Sequence, residues 1–250
     1  SFGGSTTRSR SASERPTRSC AIAWRWRKEF RRTASKSQHA STDVRLVIDK
    51  PPQFPEAAYD LRTREFGAAF RDTTSSYKFF WCLAILDLLP ALDRPVGVRE
   101  LVKAMIIRAW AAVALFRLSL GKVDRLQACV RALQADTGLG ARTAPRRLET
   151  ELERWPALDR WVEELSRFVP GRFLGSWFAD IARATPYDRR GSRAVAVAAG
   201  RAVVTKASGP YRGRVEDGSL LVELAPGWQA WLEHHRALVR GFAEQQLTRY

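Results

Sequence analysis

The chain has 250 residues, 45% of them hydrophobic, and carries 42 Lys and Arg against 26 Asp and Glu for a formal charge of +16. That apolar share supports a core and excludes wholesale disorder. Three widely spaced cysteines, Cys20, Cys82 and Cys129, exclude a disulfide-stapled secreted scaffold, and three histidines leave little for a tetrahedral zinc centre or a His-based catalytic site. The composition predicts a soluble, basic, cytoplasmic protein of one large or two small domains.

Residues 1–40 hold ten basic and two acidic residues in a Ser/Thr/Arg-rich context, and the other 210 hold 32 and 24. Residues 1–50 read as a disordered basic tail in which only Ala21 to Phe30 has amphipathic character; the sharper reading is an arm adding non-specific phosphate attraction. Arginine outnumbers lysine 35 to 7, a bias that a GC-rich genome produces by itself. No uninterrupted apolar stretch follows the basic start, so a secretory signal is not expected. The most apolar stretch, residues 104–116, is interrupted by Arg108 and too short to span a membrane, so no membrane partner is expected and it reads as a core helix.

The KPPQFP stretch of residues 50–55 is a stiff linker opening a helical region over residues 51–250. Leu61, Phe66, Ala69 and Phe70 recur at helical spacing. Thr73, Thr74, Ser75 and Ser76 supply N-cap chemistry for a helix from Tyr77 that stops at Pro90 and is apolar nearly all round, the expected buried centre of the domain. After a loop from Leu92 to Gly97, residues 98–120 predict a long helix closed by Gly121. Lys122 to Ala135 predict the next, closed at Gly138, and Arg146 to Phe168 another, interrupted at Pro156 and ended by Pro170-Gly171. The chain changes character near residue 185, a possible subdivision. Strand candidates around PYRG and SLLVEL flank Glu216-Asp217-Gly218 and predict a small β-hairpin near residues 211–224. Pro226-Gly227 then leads into one or two last helices carrying Trp228, Trp231, Leu232, Leu238, Phe242 and Leu247. The fold class is therefore mainly α, a helical domain around a buried central helix with one hairpin.

Chemistry-bearing candidates are few. Lys78 stands in the first turn of a buried helix, where a cation opposes the helix dipole; it either snorkels to water or faces an anion such as phosphate. Tyr77 is expected in the core with a bonded hydroxyl, and Cys82 as a buried small hydrophobe. His234 and His235 are adjacent, so on a helix they diverge and do not chelate one metal, and the acids of residues 149–164 belong to charged helix faces, with Arg146 and Arg147 expected to pair one turn away. No catalytic and no metal-ligating residue is assigned. Basic residues gather at Arg189, Arg190 and Arg193 and at Arg212 and Arg214, near Tyr187 and Tyr211, the footprint expected of phosphate contact and equally of an arginine-rich surface.

The string TTSSYKFFWCLAILDLL over residues 73–89 resembles the opening signature of a family of prokaryotic HNH endonucleases. MIIRAWAAVALFRLSLGKVDRLQ over residues 105–127, VPGRFLGSWF over residues 169–178 and the stretch from Tyr211 to Tyr250 are similar to further segments of that family in the same order. The resemblance covers roughly residues 55–250, with Ser76, Tyr77, Lys78 and Trp81 in its most distinctive string and Arg172 in another. It implies a helical N-terminal region that positions or selects DNA, followed by an HNH module carrying the general-base histidine and a divalent metal. His234-His235 does not match the Asp-His that opens such a module, so no cofactor is assigned to this chain. The expectation is a non-catalytic, DNA-associating region cut before its nuclease module. Lys78, Arg172, Arg189, Arg190, Arg193, Arg212 and Arg214 are its candidate phosphate contacts. The alternative is an interaction module that dimerises or meets its own nuclease module through Trp228 and Trp231.

Overall fold

Twelve residues with almost no polar side chain, Tyr77–Leu88, form the helix around which the other elements pack. The computed structural model describes residues 46–47, 54–55, 61–73, 76–92, 94–121, 124–167, 169–178 and 209–249. The chain divides into two units, Ser1–Ser41, which lies outside the described residues, and Thr42–Tyr250. In chain order the second unit contains β1 (Leu46–Val47), α1 (Thr63–Ala68), β2 (Asp72–Thr73), α2 (Tyr77–Leu88), β3 (Val96–Gly97), α3 (Val98–Trp110) and α4 (Arg125–Thr137). There follow α5 (Pro145–Arg154), α6 (Leu158–Ser166), α7 (Val169–Leu174), β4 (Tyr211–Glu216), β5 (Ser219–Leu224), α8 (Trp228–His234) and α9 (Arg236–Leu247). The protein is mainly helical, with a small antiparallel sheet of order β3-β5-β4 and a two-strand pair β1-β2.

Because α2 is apolar on every side, it must be covered on every side. It packs between α3 and α9 and touches α7, with Phe79 to Leu86 all buried. Helix α3 is stitched to its outer neighbours by ion pairs: Lys103, only 5% exposed, meets Glu100 at 2.7 Å and Glu153 of α5, and Arg99 meets Asp159 of α6. Phe66 of α1 is the hub of an aromatic cluster. Its ring lies 5.1 Å from Phe54, 5.9 Å from Phe173, 5.6 Å from Trp228 and 5.5 Å from Trp231, mostly edge to face.

The hairpin has the expected position. Asp217 and Gly218 take φ values of 47° and 74°, the left-handed pair that a two-residue turn needs to match strand twist. Its register pairs Tyr211 with Leu224 and Glu216 with Ser219, and β5 also pairs Val222 with Val96 of β3, which lies in the stretch expected as a loop.

Two boundaries differ from expectation. Helix α3 does not run to residue 120: it passes into a π-helical turn at Ala111–Leu115 and then unwinds through Arg117 at φ 54°, so Gly121 belongs to the following loop and is not a helix cap. Pro170-Gly171 does not end a helix but lies inside α7, close to its start, where a missing proline N–H costs nothing. The possible subdivision near residue 185 falls within residues 179–208, outside the described ones. Residues on both sides of it share aromatic contacts: Tyr211 stacks on Phe173, and the Trp228 ring lies tilted 5.6 Å from that of Phe66.

Candidate functional site

Residues from the sequence strings at 73–89, 105–127 and 169–178 and from the hairpin meet one another. Ser76 precedes α2 but does not cap it with its side chain. Its N–H and hydroxyl both donate to Asp124 Oδ2, at 3.1 and 2.8 Å, while Asp124 Oδ1 accepts the Gln127 N–H at 3.0 Å and so caps α4. Asp124 thus serves two helix starts from a site only 4% exposed. Burial raises its pKa, and the donors from Gln127, Ser76 and Leu126 limit the rise. The neighbouring Tyr77 hydroxyl accepts the Arg125 N–H, and burial with the adjacent Asp124 charge pushes its pKa up. Arg125 in turn pairs with Glu164 at 2.6 Å and lies over the Trp161 ring.

A second junction joins three segments. Trp81 donates its indole N–H to the Tyr211 hydroxyl at 3.1 Å, and that hydroxyl donates to the carbonyl of Pro170 at 2.5 Å. Tyr211 is fully buried, and desolvation raises its pKa far above the usual tyrosine value. Lys78 is half-buried and donates to the Ala69 carbonyl at 2.7 Å, which ties α2 to the end of α1. Ser76, Tyr77, Lys78 and Trp81 therefore act as structural pins.

The basic candidates separate in the same way. Arg212 and Arg214 project from one face of β4, but Arg212 pairs with Glu223 and Arg214 with Glu216, each at 2.8 Å. With Asp217 the hairpin holds more carboxylates than arginines, so it is not a net positive surface. Arg172 is half-buried in the last turn of α7, and Arg189, Arg190 and Arg193 lie outside the described residues. Trp228 and Trp231 are not exposed as the interface reading expected. They are 0% and 5% exposed, packed against Phe66 and each other, with Trp231 Nε1 donating to the Pro55 carbonyl at 3.2 Å, so they offer no docking face. Cys82 is buried among apolar helices, which pushes its thiol up to about 12 and leaves it inert.

Two features lie outside the sequence reading. Asp87 of α2 accepts from Arg108 of α3 and, at 2.8 Å, from Arg240 of α9, while Glu244 stands 3.5 Å from Arg108 and 3.9 Å from Arg240. Burial raises the Asp87 pKa, but the hydrogen bonds and charges of the two arginines outweigh it and hold the carboxyl below its ordinary value. No sequence signal joins residues so far apart. The other feature is Arg142, Arg146 and Arg147, exposed at the start of α5. Arg146 and Arg147 do not make the ion pairs with nearby acids that their spacing suggests: among the described residues none of the three is in an ion pair.

No family model matches the chain, and no curated protein or solved structure matches it either. Among the described residues no three His, Cys, Asp or Glu side chains are grouped to hold a metal, and no helix is long and apolar enough to cross a membrane.

Proposed function

We propose that this chain is a non-catalytic DNA-associating region of an HNH-type endonuclease, holding the phosphate backbone while another module cleaves it. The ordered strings over residues 73–89, 105–127 and 169–178 support the family, and one surface feature supports the DNA. From Gly138 to Leu148 the chain carries Arg142, Arg146 and Arg147 and no acid. Arg146 and Arg147 fill the first turn of α5, whose N-cap Ala144 has no side chain to satisfy the free amides. Three uncompensated guanidinium groups beside the positive end of a helix attract phosphate oxygens more strongly than the self-neutralised hairpin does.

The test is fluorescence anisotropy of the full chain with a labelled DNA duplex across a salt series. Affinity should fall steeply with salt, and Arg142→Gln, Arg146→Gln and Arg147→Gln combined should flatten the log–log slope by up to about 3, at about 0.9 per lost phosphate contact. A salt-independent titration, or a triple variant with the parent's slope, overturns the proposal.

A further inference from the structure

At the tip of the hairpin an aspartate carboxyl stands beside a glycine amide. The chain holds twelve aspartates and no asparagine, and Asp217 alone precedes glycine. The others precede Val, Lys, Leu, Thr, Arg or Ile, whose β-carbons crowd the amide nitrogen. Asp217 and Gly218 are both exposed, and a β-carbon built on Gly218 would meet nothing within 4 Å. Among the described residues neither the Asp217 carboxylate nor the Gly218 N–H has a hydrogen-bond or ion-pair partner. Arg214 of the same hairpin pairs with Glu216 instead, at 2.8 Å. The strand ladder closes at Glu216 and Ser219 and leaves the Asp217–Gly218 peptide outside it. With φ of 47° and 74° the turn is of type I′. Rotating that single peptide plane gives the type II′ turn, the other favoured hairpin connection, with the strands in the same register. The rotation takes ψ of residue 217 to about −120°, where the Gly218 nitrogen lies on the side of the aspartyl β-carbon and faces Cγ. Glycine accepts the reversed φ that this requires.

We infer that Asp217 is a self-modification site, where the folded chain converts its own aspartyl–glycyl linkage to isoaspartate. The Gly218 nitrogen bonds to Cγ of the protonated Asp217 carboxyl. The carboxyl hydroxyl leaves as water with the amide proton, and a five-membered succinimide closes. Water then opens the ring. Attack at Cγ breaks the new N–Cγ bond and restores aspartate, whereas attack at the Asp217 main-chain carbonyl carbon breaks the original peptide bond. The chain then runs through Cβ and Cγ. No oxidant or cofactor is consumed, and the net change is an isomerisation. The product adds one backbone carbon to a two-residue turn, so the Glu216–Ser219 pair at the tip must give way while Tyr211–Leu224 at the base stays paired.

The test is incubation of the folded full chain in 18O-water buffer, followed by trypsin digestion in ordinary water and mass spectrometry. Each ring opening leaves one heavy oxygen, so label should accumulate in the peptide from Val215 to Arg236, whose one aspartate is Asp217. A second chromatographic form of that peptide, resistant to an aspartate-directed protease, should appear with it. Asp217→Glu keeps the charge but would need a six-membered ring, and should lose both signals. Gly218→Ala crowds the amide and should lower them, which preserves the test if the first variant folds poorly. Tyr211→Phe loosens the core without touching the turn and should leave the labelling rate unchanged. No label at Asp217, earlier label at another aspartate, or parent labelling in both folded variants overturns the inference. So does a Tyr211→Phe rate that rises in step with lost stability, which would mean that the chain reacts only when unfolded.

Discussion

The Tyr211 hydroxyl accepts from Trp81, donates to Pro170 and has no contact with water. Tyr211→Phe removes no packing volume but strands an indole N–H and a carbonyl in the core, and should cost about 2 kcal/mol in urea unfolding. Phenylalanine at position 81 as well, in the double variant, removes one of the stranded partners, so the two losses should be less than additive. Asp87 shows a different kind of dependence, on charge. Its folded pKa lies below the ordinary value of 3.8, so its stabilisation is complete above that value and is lost as pH falls through the lowered folded pKa. Asp87→Asn leaves Arg108 and Arg240 buried against Glu244 alone and should cost about 3 kcal/mol at neutral pH. The deficit relative to the parent should narrow as pH drops below 3.8, and an unfolding series at several acid pH values measures it. The Tyr77 hydroxyl could be assigned to the core from its place on an apolar helix, but Asp87, Arg108 and Arg240 look like ordinary charges until α2, α3 and α9 are brought together.

Helices could be placed from the sequence wherever their ends carry their own chemistry. The end of α4 is closed as expected by Gly138 at φ 65°, whereas its start, capped by Asp124 through the Gln127 N–H, lies after the expected Lys122. The end of α3 carries no such marker, because the π-helical turn at Ala111–Leu115 is a run of small and apolar residues that would suit a continuing α-helix equally well. Nothing in local spacing shows that Asp124 also serves Ser76, since that bond joins residues from different helices. Both ends of α4 can be tested. Gly138→Ala meets no atom within 4 Å, so its cost of about 1 kcal/mol should come from the left-handed backbone alone, and Gly138→Asn should recover part of it. Asp124→Ala should exceed the cost of an ordinary lost N-cap, reaching about 2 kcal/mol, because it also leaves the buried Ser76 donors unpaired. Because burial raises the folded pKa of Asp124, its contribution has the opposite sign to that of Asp87: it is fullest below the unfolded value of 3.8 and declines as pH rises through the folded one.

Over the whole unit, residues far apart in sequence converge on one aromatic core. Phe54, Phe66, Phe173, Trp177, Trp228 and Trp231 come from the segments before α1, within it, in and after α7, and in α8, and each of the others lies within 6.3 Å of the Phe66 ring. The β3-β5 pairing ties the hairpin to the start of α3, and Arg240 ties α9 to α2. No part of this core can open without exposing apolar surface on another, so the described helices and sheet should unfold together. Phe66→Ala is the sharpest probe of this, because Phe66 is 1% exposed and its loss leaves a cavity shared by every one of these segments. The expected loss is about 4 kcal/mol. Far-UV circular dichroism, which follows the helices, and tryptophan fluorescence, which follows Trp177, Trp228 and Trp231 among others, should shift to the same lower midpoint. Separate midpoints would mean that the hairpin and last helices are a second cooperative unit, with the aromatic contacts to Phe66 forming only an interface between the two.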